Sequence, residues 1–161
     1  MTGSLAKIWH YEGTITEDIM NKMNPVVHFE MGYKDRVRMV NFYETVFGWE
    51  TQQMGPDMGN YVVAHTTETD KDGMVQTKGA INGGFYQKTD NPLSHPPSVV
   101  VSVDDINAAM KAVEEAGGRI LGSMDEKGEQ TSDPQMIPGV GLWVSAMDTE
   151  DNRFSILQPS S

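Results

Sequence analysis

The chain has 161 residues, with 12 Lys and Arg against 23 Asp and Glu, a formal charge of −11, and no cysteine. A body this acidic repels a phosphate backbone or an anionic membrane surface, so neither nucleic acid nor membrane is an expected partner. No run approaches the roughly 18 apolar residues that span a bilayer. Without cysteine there are no disulfides, thiol nucleophiles or thiolate metal sites, and any metal would have to sit on His, Asp or Glu.

At 38% hydrophobic the chain can bury a core, and its length suits one domain or two small repeated units. Met1 to Lys22 contain only short apolar clusters, such as Ile8-Trp9, and no export-signal core, so a cytoplasmic location is the default expectation. Residues 1–23 read as an N-terminal extension or peripheral arm.

From Asn24 the pattern becomes regular. Val26 to Met31 places apolar residues at 27, 29 and 31 and His28 with Glu30 on the other parity, which predicts a strand with one greasy and one polar face. Val37, Val40, Tyr43 and Phe47 recur at helical spacing, with Asp35 as N-cap and Gly48 as the stop. Strands are then expected at 49–53, 60–66 and 79–87, separated by the turn chemistry of Gly55-Pro56 and Asp70-Lys71-Asp72-Gly73. This half reads β-α-β-β-β. The polar, Pro-rich stretch 89–97 reads as a linker.

The second half repeats the order. Ser98 to Val103 predicts a strand with Val99, Val101 and Val103 on one parity. Asp104-Asp105 opens a helix that Gly117-Gly118 ends, and strands follow at 119–124, 141–147 and 153–158. A shift of 70 places His28 on Ser98, Glu30 on Val100, Asp35 on Asp105 and Gly48 on Gly118. Residues 24–88 and 98–161 are therefore expected to be two similar modules, each too small to close a core alone, packed as one domain.

The runs H-F-E, F-Y-E-T-V-F-G-W-E, S-V-D-D-I-N-A-A-M-K-A-V-E-E-A-G-G-R-I, I-P-G-V-G-L-W-V and D-T-E-D-N-R-F-S-I-L-Q resemble the vicinal oxygen chelate superfamily, the group of glyoxalases, bleomycin-resistance proteins and extradiol dioxygenases. The resemblance covers about residues 25–158. It implies an α+β fold of two paired βαβββ modules whose sheets curl around a central cavity, often completed in a homodimer. It also implies a divalent ion on inner-face side chains of equivalent strands. His28 stands at the first such place. At the second, Ala80 to Phe85 offer no His, Asp or Glu. Ser98 stands at the third and Ser155 at the fourth. One imidazole cannot hold Zn²⁺, Ni²⁺ or Fe²⁺ against water, so no cofactor is expected. A divalent metal, with Glu30 as substitute ligand, is the lesser alternative. The family's D-P-x-G-N turn is replaced by Asp148 to Asn152, which predicts a looser turn.

His28 and Glu30, about 6.5–7 Å apart along one strand face, read as a catalytic base with an orienting partner, or as groups that bind a polar ligand. The plain alternative is a solvated or hydrogen-bonded pair. Ser98 and Ser155 offer hydrogen bonds to a ligand or simply fill a narrow cavity. Tyr61, Phe85 and Trp143 are expected to border the cavity as stacking surfaces. Gly83 and Gly84 read as a closely approached strand beside it. The first functional expectation is a metal-independent small-molecule-binding protein. The second is a lyase, isomerase or oxygenase acting on a small carbonyl or enediol compound, with His28 as acid/base or metal ligand.

Overall fold

The computed structural model describes residues 23–71, 73–124 and 130–160. The expected extension lies outside them, Met23 apart. Strand β1 (Val26–Tyr33) leads into helix α1 (Arg36–Phe47), then β2 (Glu50–Gln53), β3 (Val62–His65) and β4 (Asn82–Gln87). The second run is β5 (Ser98–Ser102), α2 (Ile106–Glu115), β6 (Arg119–Met124), β7 (Gln130–Thr131), β8 (Gln135–Ile137), β9 (Gly141–Met147) and β10 (Arg153–Pro159). β7 and β8 were not expected, because two or three residues carry no readable alternation.

The helix ends follow their caps. Asp35 accepts from the Arg38 backbone N–H at 2.9 Å, and Gly48 turns the chain out of α1 at φ +67°, a conformation that costs glycine little. Asp105 accepts from the N–H groups of Asn107 and Ala108 at 2.9 and 3.0 Å. The turn between β9 and β10 is tighter than the missing Pro and Gly suggest. The Asp148 carboxylate accepts from the Asn152 side-chain amide at 2.9 Å and from the backbone N–H of Asn152 and Glu150, both at 2.8 Å, and these bonds hold its pKa below the usual range, the Asn152 side chain contributing most. The side chain thus supplies the order that backbone chemistry does not.

The strands form one curled sheet in the order β2-β3-β4-β1-β5-β10-β9-β6-β7, with β8 paired to β9. β1 is parallel to β4 and antiparallel to β5; β5 is in turn parallel to β10. At the central seam His28 faces Val100, Phe29 faces Val99 and Glu30 faces Ser98. That register is a local two-fold through the Phe29–Val99 pair, and it equates His28 with Ser98 and Glu30 with Val100, as the 70-residue shift requires.

Alternation then sorts the side chains by face. Tyr33, Val62, Ala64 and Phe85, with Phe29, Met31 and Trp49 beside them, pack against Val40, Met39 and Tyr43 of α1. Val103, Val144, Ala146 and Ile156 pack with Ile106, Ala109, Met110 and Val113 around α2. Both helices cover the same side. The opposite, inner face carries the other parity: His28 and Glu30, Tyr61, Asn82 and Gly84, Ser98, Trp143 and Ser145, Arg153 and Ser155.

Candidate functional site

Two hydrogen-bonded pairs occupy the centre of the inner face. Glu30 is buried at 8% exposure, and the fully buried Ser155 donates its hydroxyl to Glu30 Oε2 at 3.0 Å. This bond joins residues 125 apart in sequence, one from each half of the sheet. Burial raises the Glu30 pKa above the ordinary carboxylate value; the Ser155 bond, the charge of Arg153 and the Ser98 hydroxyl partly oppose it. Ser98 Oγ is itself buried and meets no atom of the described residues at full hydrogen-bond geometry, yet it stands close enough to the Glu30 carboxylate to favour its charge.

The second pair is His28 and Tyr61, with Nε2 and Oη 3.0 Å apart. Burial pushes the imidazole down to about 4, so it is neutral at pH 7. Burial and the nearby Glu30 charge hold the Tyr61 phenol protonated well above its usual range. The phenol and the imidazole are thus joined by a hydrogen bond between two neutral groups.

Gly84 makes this pair possible. A Cβ there would fall inside the Tyr61 ring and hydroxyl, and one at Gly83 inside the Phe29 ring. The two glycines therefore let aromatic rings lie against β4 from both faces. Gly84→Ala is expected to displace Tyr61 and cost about 1–3 kcal/mol by overpacking. Thermal denaturation reads the loss, and an NMR titration should show the His28 pKa moving back toward 6.5. An unchanged melting temperature and titration would contradict this account.

The expected residues are only partly brought together. His28 and Glu30 share the face, and each is hydrogen-bonded to a different partner, Tyr61 and Ser155. Tyr61 meets the site through its hydroxyl, a polar role beyond stacking. Ser98 and Ser155 lie beside Glu30, and Trp143 lies on the inner face by alternation. Phe85 is corrected: it points the other way, 1% exposed among Phe29, Tyr43 and Trp49 under α1. The alternation of β4 put Phe85 opposite Gly84, a parity the Gly83-Gly84 pair concealed.

The sequence reading missed Arg153. Its Nε donates to Ser145 Oγ at 3.0 Å, and its Nη1 lies 3.3 Å from Tyr86 Oη and 3.2 Å from the Leu93 carbonyl oxygen. The guanidinium sits 5.5 Å from the Tyr86 ring centroid. The available signal was its parity with Ser155 on the final strand.

The divalent ion of the family's metal enzymes does not fit these residues. Asn82 Oδ1 accepts from the Thr66 N–H at 2.8 Å, Gly84 has no side chain, and the Ser155 hydroxyl is committed to Glu30. His28 and Glu30 remain, and among the described residues no three His, Asp or Glu side chains converge as metal ligands. A hollow of about 500 Å³ runs past the central seam, lined by Phe29, Met31, Trp49, Thr66, Ile81, Pro97, Ser98, Val99 and Arg153. It reaches the polar site through Ser98 and Arg153 rather than through His28. Desolvated charged and hydrogen-bonding groups lie on the inner face, while the apolar wall of the hollow comes largely from Phe29, Met31 and Trp49 on the helix-facing side.

A curled α+β sheet of two β-α-β-β-β runs, with desolvated polar side chains on its inner face, defines the class. The chain belongs to the Glyoxalase/Bleomycin resistance protein/Dioxygenase superfamily, whose profile it matches over residues 26–133. No curated protein matches it in sequence. Among solved structures it is similar to a Streptomyces coelicolor methylmalonyl-CoA epimerase variant in complex with 2-nitronate-propionyl-CoA, at TM-score 0.59 and 12% identity, covering 87% of this chain and all of that one. Similar in fold too is a hypothetical protein from Bacillus halodurans, at TM-score 0.58 and 10% identity over 87% of this chain and 97% of that one. Among the described residues no helix is long and apolar enough to cross a membrane.

Proposed function

We propose that this protein binds a small organic ligand on the inner face of its sheet, and that it does so without a divalent metal. The observation that carries this is the donor set: the family's four ligand places hold His28, Gly84 or Asn82, Ser98 and Ser155, and the one extra carboxylate, Glu30, takes the Ser155 hydroxyl. Neutral donors and a single imidazole suit carbonyl, hydroxyl or carboxyl groups of a ligand better than an ion that must be stripped of water. A homodimer in the cytoplasm is the setting we attach to this reading; exposed Phe42, Val46 and Phe47 on α1 are the kind of surface a second copy covers.

Elemental analysis of the purified protein tests it. Well under one equivalent of divalent metal per chain is expected, with the melting temperature unchanged by dialysis against a chelator. Stoichiometric metal whose removal lowers the melting temperature would overturn the metal-independent reading. Light scattering on the same sample reads the oligomeric state.

A second reading is favoured by Glu30. A buried carboxyl group with a raised pKa is a stronger base than one in water. Placed beside the carbon next to a ligand carbonyl, Glu30 would accept its proton as the C–H bond breaks, with the enolate oxygen taking the Ser98 hydroxyl. Return of the proton to that carbon completes an isomerisation and restores the carboxylate. Deuterium exchange into the ligand's α-position that is lost in Glu30→Gln, while binding persists, is the expected signature; exchange that persists in that variant removes this reading.

A further inference from the structure

We propose that Arg153, with Ser98 beside it, is the anion-recognising end of this site and selects ligands that carry a carboxylate on an apolar body. The inference rests on the ligand-binding reading above and adds to it the class of ligand.

The setting makes this cation unusual. Residues 89–161 hold 4 basic and 12 acidic side chains, so the field around this half opposes anions generally. Arg153 nevertheless makes no ion pair within bonding distance among the described residues; its recorded partners are a serine hydroxyl, a phenol, a backbone carbonyl and an aromatic face. All of these are neutral. They use Nε and Nη1, fix the plane of the guanidinium, and leave Nη2 without a partner among the described residues. A fork held in place at one side and open at the other is the arrangement that receives a carboxylate at low cost in side-chain entropy.

Ser98 supplies an independent observation. Its hydroxyl is buried, 5% exposed, and meets no atom of the described residues at full hydrogen-bond geometry, a condition that native proteins rarely leave uncorrected. Ser155 pairs with Val100 between the parallel strands β10 and β5, so Arg153, two residues earlier, stands level with Ser98. Both line the same hollow of about 500 Å³, whose other walls include Phe29, Met31, Trp49 and Val99. The polar end is thus matched to one anionic head and the rest to an apolar body. Glu30 feels the Arg153 charge but makes no ion pair with it within bonding distance, and its Oε2 is taken by Ser155. By the local two-fold Arg153 corresponds to Asn82, whose amide is committed to Thr66; only the second half offers a free cationic donor here.

The test is isothermal titration of the full chain with phenylacetate and with phenylacetamide, which share a body and differ in charge, at constant ionic strength. Phenylacetate should bind about tenfold more tightly, the factor of one charge-assisted contact. Arg153→Gln should bring the two to equal affinity, while Arg153→Lys keeps part of the preference. Because Arg153 ties three segments together, Ser98→Ala is the second variant: it removes a small hydroxyl that makes no hydrogen bond of full geometry, thermal denaturation checks that the fold is kept, and the preference should fall several-fold. Equal binding of both probes by the unaltered protein overturns the carboxylate assignment and leaves the ligand-binding reading standing. So does a preference that survives Arg153→Gln or is unchanged in Ser98→Ala. Binding of neither probe overturns both.

Discussion

Phe85→Ala is expected to cost the folded state about 3–5 kcal/mol, the range for emptying a well-packed aromatic site. Phe85 is among the largest fully buried side chains, with ring centroids of Tyr43, Phe29 and Trp49 at 4.9, 6.2 and 6.5 Å. These neighbours sit on β1, on α1 and directly before β2, so they are not free to collapse into the space. A domain holds only about 5–15 kcal/mol in total, and the variant should unfold at a much lower urea concentration. Phe85→Leu keeps most of the volume and should lose far less. Its ligand affinity should match the unaltered protein, because Phe85 does not itself line the hollow. A loss of affinity in Phe85→Leu without a loss of stability would return Phe85 to the binding surface.

The second large effect is on acid stability. The His28 imidazole is pushed from 6.5 to about 4 by burial, so between these values the unfolded chain takes a proton that the folded chain refuses. Stability contributed by His28 is therefore fully present above pH 6.5 and lost as pH falls toward 4, by about 2–3 kcal/mol for a partly buried ring. Glu30 acts in the opposite sense. Its folded pKa is raised, so its contribution is present below its ordinary value and lost as pH rises through the folded one. The two slopes overlap, and many surface carboxylates titrate in the same range. The readout is thus a difference: urea unfolding of Glu30→Gln against the double variant His28→Asn with Glu30→Gln, from pH 7 to pH 4. The gap between the two should change by about 2–3 kcal/mol across that window, the single variant losing more as the pH falls. Parallel curves would show that His28 titrates normally in the folded chain.

Strand and helix placement was legible because it is written locally. The alternation in Val26 to Met31 and Ser98 to Val103, the Asp35 and Asp105 caps and the Gly48 stop each act within a few residues, and the 70-residue correspondence between halves follows from them. The strand expected from 79 begins only at Asn82, and one expected at 60–66 spans Val62–His65, the usual uncertainty of ends. His28 and Glu30 were legible as polar residues on one parity of β1, whereas Ser98 and Ser155 stood at places that the family resemblance implied. Phe85 was misplaced because two adjacent glycines hide which face the following ring takes.

What the amino-acid order carries alone is the family resemblance, the doubling of the β-α-β-β-β pattern and the loss of donor types at three of four ligand places, all properties of residue identity and spacing. What the tertiary structure decided is who partners whom. Ser155 meets Glu30 across 125 residues because β5 and β10 run parallel beside β1. Tyr61 reaches His28 only because Gly84 leaves room for its ring, and Arg153 stands in the hollow because Ser145, Tyr86 and Leu93 converge on it from separate segments. Hydrogen bonding and desolvation depend on three-dimensional neighbours, and it is these that turn a strand with a histidine and a glutamate into a site with a neutral imidazole, a buried carboxyl group and an open guanidinium.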